Sequence, residues 1–215
     1  MNVIVVNSQK GGSGKTMLCK HLAITAERAG ASAMLIDTDP QGSLAAWHAA
    51  RTSERPALAD VPFDTLPKVL TAMRKHHTTD VVLIDTASGR LDIAEALCRL
   101  ADLVLVPIQP SVDDLRSVAR TIKMFRKRHK PVAYSFVLTR VRQNTLITAQ
   151  TIAALTPHGP IVKTPVIDRI AYRMQYAGEQ TIIEVKPASP AAAEIAQLWT
   201  DICALLPTPT AQKGP

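Results

Sequence analysis

The run Val3-Ile4-Val5-Val6, followed by Asn7-Ser8-Gln9-Lys10-Gly11-Gly12-Ser13-Gly14-Lys15-Thr16, restricts this chain more than any other stretch. Four apolar, mostly β-branched residues predict a buried strand, which Gly11, Gly12 and Gly14 then interrupt. Helical spacing resumes at Met17-Leu18-Cys19-Lys20-His21-Leu22-Ala23. A strand, a glycine loop and a helix in that order form a phosphate cradle. Glycines let backbone N–H groups curl around phosphate oxygens, and the helix N-terminus adds partial positive charge. Residues 9–16 fit Gly-x-x-x-x-Gly-Lys-Ser/Thr, except that Gln9 stands where the first glycine belongs. Lys15 is expected on the β- and γ-phosphates and the Thr16 hydroxyl on Mg²⁺.

The rest of the chain alternates strands with helices. Strands are expected at Ala33–Asp37, Asp80–Asp85, Leu103–Pro107 and Ala133–Leu138. Helices are expected at Leu18–Ala29, Ser43–Ala50 (with Ser43 as N-cap), Leu66–His76, Leu91–Leu100, Asp113–His129, Thr145–Leu155 and Ala191–Leu206. Arg51–Asp64 reads as a connection and Pro160–Val166 as an extended segment. This pattern predicts an α/β fold: one doubly wound, mostly parallel sheet with helices on both faces. Residues 1–206 form one expected domain and 207–215 a flexible tail. Ligand-binding residues belong at the carboxyl ends of such strands, where every motif lies.

Asp37, Asp39 and Asp85 end or follow apolar strands beside the glycine loop. A carboxylate there holds Mg²⁺ or its waters, so Asp85 and Asp39 join Thr16 as metal candidates, with Asp39 better placed to orient an attacking water. Cys19, Cys98 and Cys203 show no metal spacing and lie in apolar stretches, which predicts buried thiols in a reducing compartment. No apolar run is long enough for a bilayer, and strand residues starting at Asn2 leave no expected room for a signal peptide.

Taken together, these boxes resemble the ParA/MinD family of deviant Walker ATPases, closest to the short plasmid-type partition proteins. Lys10-Gly11-Gly12-Ser13-Gly14-Lys15-Thr16 resembles the deviant Walker A box, in which an extra lysine opens the motif and a glycine is replaced at Gln9. Leu35–Ser43, Val104–Asp113, Leu138-Thr139-Arg140 and Pro165–Tyr172 resemble further boxes in the same order. The resemblance implies that Lys10 reaches across a nucleotide-sandwich homodimer to the partner's phosphates. It also implies that residues 11–17 cradle the nucleotide, that Lys10, Lys15 and Asp39 are catalytic, and that Thr139 and Arg140 frame the adenine. ATP and Mg²⁺ are the implied cofactors. Ser13, where many relatives carry valine or isoleucine, and Ala87, where many carry proline, depart from the pattern. The iron-protein branch is set aside because it needs a cysteine pair in suitable loops.

The chain carries 25 Lys+Arg against 18 Asp+Glu, a net charge of +7, which favours a polyanionic partner. Arg116, Arg120, Lys123, Lys127 and Lys130 recur at steps of four and three, so they project along one helical stripe opposite Leu115, Val118, Ile122 and Phe125. Such a stripe suits a phosphate backbone, and affinity would fall with salt and depend little on sequence. Arg169 and Arg173 are further candidates by resemblance. The segment 191–206 has no Lys or Arg and therefore lacks the pattern of a basic membrane anchor. No helix-turn-helix precedes the glycine loop, so operator binding is not expected. The implied function is ATP-dependent DNA partition or positioning: a dimer on non-specific DNA, released when a ParB-type or other cargo adaptor stimulates hydrolysis. The implied location is cytoplasmic and nucleoid-associated, with no membrane partner. A related ATPase positioning a protein cluster or microcompartment, and a non-catalytic nucleotide-dependent regulator, are the alternatives.

Overall fold

The computed structural model describes residues 1–126, 132–174 and 176–207. Among the described residues six strands form one sheet: β1 (Asn2–Val6), β2 (Ala33–Asp37), β3 (Ala57–Ala59), β4 (Val81–Asp85), β5 (Leu103–Ile108) and β6 (Tyr134–Leu138). Their order is β3-β2-β4-β1-β5-β6, and every pairing is parallel. Parallel neighbours need crossovers, and helices supply them on both faces.

Alternation along β1 assigns the two faces. Ile4 and Val6 point into a core with α1 (Lys15–Arg28), α2 (Ser43–Ala49), α7 (Ile182–Val185) and α8 (Pro190–Cys203). Val3 and Val5 point into the opposite core with α3 (Leu66–His76), α4 (Leu91–Leu100), α5 (Val112–Arg126) and α6 (Leu146–Leu155). A strand buried on both sides has no polar face, which is why β1, β4 and β5 read as continuous apolar runs. Each fully buried Val, Ile or Leu contributes about 1.5–3 kcal/mol, so the centre of the sheet is rigid where the glycine loop leaves it.

Four expectations need correction. Ser43 does not cap α2; Gly42 occupies that position in a left-handed conformation, and the Asp37 carboxylate accepts the N–H groups of Leu44 and Ala45 at 2.9 Å each. Part of the expected connection is strand β3, whose three residues pair with Met34–Ile36 at the sheet edge. Helix α7 was not expected. It is four residues long, and a Thr181–Glu184 capping box holds it. Cys19 and Cys98 are buried, but Cys203 is exposed. The extended segment after α6 forms isolated parallel bridges, Phe136 with Ile161 and Val141 with Ile167. Lys127, Lys130 and the tail from residue 208 onward lie outside the described residues.

Candidate nucleotide site

The strand register brings the functional loops together. Val6 of β1 stands opposite Asp85 of β4, and Asp85 stands opposite Asp37 of β2, so three neighbouring strands end at one level. Above them opens a cavity of about 580 Å³ lined by residues that include Gly11, Gly12, Gly14, Lys15, Thr16, Met17, Asp39, Ser88, Arg90 and Arg140. A smaller cavity of about 60 Å³ shares Gly14, Met17 and Arg140 and continues to Thr139 and Val166–Arg169. The two openings meet at Gly14, Met17 and Arg140, between the start of α1 and the residues that follow β6.

Local backbone makes the cradle. Gly12 and Gly14 adopt φ of 72° and 105°, conformations that would strain any L side chain. No atom lies within 4 Å of where a Cβ on Gly11 or Gly12 would stand, so the loop wall is open on that side. Two polar side chains pin the loop from β5 and β6. The Gln109 amide donates to the Gly12 carbonyl at 2.5 Å, and the buried Thr139 hydroxyl donates to the Ser13 carbonyl at 2.7 Å. Thr139 therefore shapes the loop itself, and Arg140 borders both cavities from a strained positive φ of 50°.

The charged groups are arranged for an anion with a divalent cation. The Lys15 ammonium donates to Ser88 Oγ at 2.5 Å, and burial pulls its pKa down while Asp85 and Asp39 work against that shift. Thr16 Oγ1 donates to Asp85 Oδ2 at 2.5 Å. Asp85 is 1% exposed, and its other oxygen, Oδ1, is buried without a hydrogen-bond partner. Burial raises the Asp85 pKa to about 6; the Thr16 bond lowers it and neighbouring Asp37 raises it further. An orphaned carboxylate oxygen beside a threonine hydroxyl is a donor set that fits Mg²⁺ and its waters. Asp37 is committed elsewhere, because it accepts three backbone N–H groups, those of Asp39, Leu44 and Ala45. Asp39 lines the cavity, and its Oδ1 accepts the Gln41 N–H at 3.0 Å.

Lys10 does not border the cavity beside it. Its ammonium pairs with Asp114, a side chain only 2% exposed near the start of α5. Asp114 also accepts the Ser111 hydroxyl at 2.5 Å and the Gln109 N–H at 3.2 Å. Sequence reasoning missed this partner because it lies 104 residues away in the chain. It also missed Gln109 and Ser88 as contacts of the loop.

The basic candidates separate into two groups. Arg116, Arg120 and Lys123 are exposed on α5, with Val118, Ile122 and Phe125 buried beneath them. Arg169 instead donates to Glu194 at 3.0 Å, and Arg173 donates to Asp168 at 2.8 Å. Both therefore carry less free charge than the sequence alone implies.

Fold and site together define a phosphate-loop nucleotide-binding protein of the parallel α/β class. Residues 4–180 match the CobQ/CobB/MinD/ParA nucleotide binding domain, and the chain belongs to that family. It is 29% identical over 210 residues to Protein ParA of Rhizobium radiobacter, covering 90% of this chain and 91% of that one. It is 27% identical over 211 residues to the maintenance of carboxysome distribution protein A of Halothiobacillus neapolitanus, covering 93% and 95%. Among solved structures, the MinC:MinD cell division protein complex of Aquifex aeolicus superposes with a TM-score of 0.75 at 18% identity, covering 95% of this chain and 96% of that one.

Proposed function

We propose that this chain is a positioning ATPase of the partition type: ATP and Mg²⁺ drive a sandwich homodimer that holds DNA without sequence preference until a cargo-bound partner stimulates hydrolysis. The observation that carries the reading is Lys10, which precedes the glycine loop yet is absent from the wall of the adjacent cavity. That its ammonium is turned to Asp114 rather than to its own cavity supports a role at a partner's phosphates. Two nucleotide-bearing faces repel each other unless cations bridge them, so assembly would depend on the γ-phosphate.

In this reading Lys15 neutralises the β- and γ-phosphates, and the N–H groups of residues 11–17 surround them. Thr16 and Asp85 hold Mg²⁺, which neutralises phosphate charge as a Lewis acid when bound. Asp39 accepts a hydrogen bond from the attacking water and orients it, while Lys10 of the second copy meets the charge that develops on the terminal phosphate. Arg140 and Thr139 frame the base. The exposed stripe of Arg116, Arg120 and Lys123, which continues in sequence through Lys127 and Lys130, supplies the DNA-binding charge. Among the described residues no helix is long and apolar enough to cross a membrane.

The relative from Halothiobacillus, described as distributing carboxysomes, favours a second version in which the cargo is a protein body. The switch is the same in both. Asp39→Ala tests it: the variant is expected to dimerise with ATP, hydrolyse almost none and stay on DNA. A variant that still turned over ATP, or never dimerised, would contradict the assigned role.

A further inference from the structure

We propose that Arg90 is an in-cis cation for the terminal phosphate, so that the loop after β4 distinguishes ATP from ADP by its own arginine. The proposal rests on the nucleotide reading above and adds a residue to it.

Arg90 lines the 580 Å³ cavity together with Lys15, Thr16, Asp39 and Ser88. Ser88 in the same loop is already at the Lys15 end, because its Oγ accepts one of the ammonium's three hydrogen bonds at 2.5 Å. Arg90 follows Ser88 in the same short loop, two residues of chain that span at most about 7 Å, and both border the cavity that Lys15 and Thr16 line. Arg140 also borders this cavity, but it additionally borders the chamber near Thr139 and Val166. The two arginines thus serve opposite ends, with Arg90 at the phosphates.

The present partner of Arg90 is easily exchanged. Its guanidinium donates to Asp92 through Nη2 at 2.9 Å and Nε at 3.1 Å, and both side chains are more than half exposed. An exposed carboxylate two residues away is a weak competitor for a planar fork that matches phosphate oxygens. The preceding Gly89 has φ of +77° with nothing within 4 Å of a Cβ position, so a glycine turn with open space beside it leads into Arg90. Arg90 is also the residue that leads into α4, whose first turn contains Asp92. Drawing the guanidinium to a γ-phosphate therefore repositions residues 86–90 and the start of α4, whereas ADP leaves Arg90 on Asp92.

The test measures equilibrium binding of Mg²⁺–ADP and Mg²⁺–ATPγS to the full chain by calorimetry, in wild type, Arg90→Ala, Arg90→Lys and Asp92→Asn. Arg90→Ala is expected to lose about tenfold or more for ATPγS with ADP affinity unchanged, the scale of one charge-assisted hydrogen bond. Arg90→Lys is expected to recover part of the loss, and Asp92→Asn to bind ATPγS at least as tightly as wild type. Equal losses for both nucleotides, or none for either, would overturn the proposal while leaving the nucleotide site intact. A loss seen only at protein concentrations that support dimers would place Arg90 on the second copy's nucleotide and overturn the in-cis assignment. Wild type binding neither nucleotide would overturn the site reading itself.

Discussion

Replacing Asp85 by Asn isolates what the metal-side carboxylate does to the fold. Burial moves the Asp85 pKa from 3.8 to about 6, with the Thr16 bond opposing and Asp37 assisting. Because the folded value is the higher one, the folded chain binds this proton more tightly. The group's contribution is full below about pH 4 and is lost as pH rises through about 6. A shift of roughly two units corresponds to about 3 kcal/mol. His21 acts in the opposite direction. Burial lowers its pKa from 6.5 to about 4, so its contribution is present above 6.5 and lost as pH falls through 4. In wild type these two contributions oppose each other, and Glu184 and Asp80, both with lowered pKa values, add their own dependence at the acid end, so stability alone does not isolate Asp85. The comparison with Asp85→Asn does. The gap between the curves is expected to move by about 3 kcal/mol in the variant's favour between pH 4 and 7. A fixed penalty of about 1–3 kcal/mol for a buried, unpaired amide N–H shifts the gap without changing its slope. Urea unfolding in small pH steps, with a chelator and no nucleotide, reads this directly. A gap that stays constant across the range would refute the argument.

Four other substitutions probe separate parts. Asp114→Asn removes the charge that holds Lys10; the ATP-dependent dimer fraction at fixed concentration is expected to rise several-fold by light scattering, and no rise would show that the pair does not restrain assembly. Arg51→Met leaves the half-buried Glu184 with Thr181 but no cation, because the Arg51 side chain is 1% exposed, pairs with that carboxylate at 2.8 Å and packs on Trp47 at 4.6 Å. A loss of about 3–5 kcal/mol is expected by thermal or urea unfolding, partly recovered by adding Glu184→Gln. Arg169→Ala is expected to lower stability with little effect on the salt dependence of DNA binding, since Glu194 holds the guanidinium. Arg120→Ala is expected to do the reverse, flattening the log–log salt slope by about one with stability within about 0.5 kcal/mol of wild type.

The sheet was legible because its central strands are buried on both faces and therefore spell continuous apolar runs such as Val81–Ile84. The cradle was legible because backbone geometry itself demands Gly12 and Gly14. What escaped notice has short or distant signals. Strand β3 is three residues at an edge, too few for any period to show. Ser43 looked like a cap, but the carboxylate that caps α2 comes from Asp37 at the end of the preceding strand. Lys10 with Asp114, Gln109 with Gly12 and Arg169 with Glu194 are contacts that only folding creates. A row of cations in sequence cannot reveal which of them already have acidic partners: Glu194 and Asp168 hold Arg169 and Arg173, whereas Arg116 has only an exposed contact with Asp113 at 3.8 Å.

The central claim is a nucleotide-switched hold on DNA. Binding of the purified chain to duplexes of unrelated sequence, with ATP, with ADP and without nucleotide across a salt series, tests it most directly. Binding is expected with ATP alone, equal for all duplexes and falling steeply with salt. Binding that ignores the nucleotide, or no binding in any state, would contradict it.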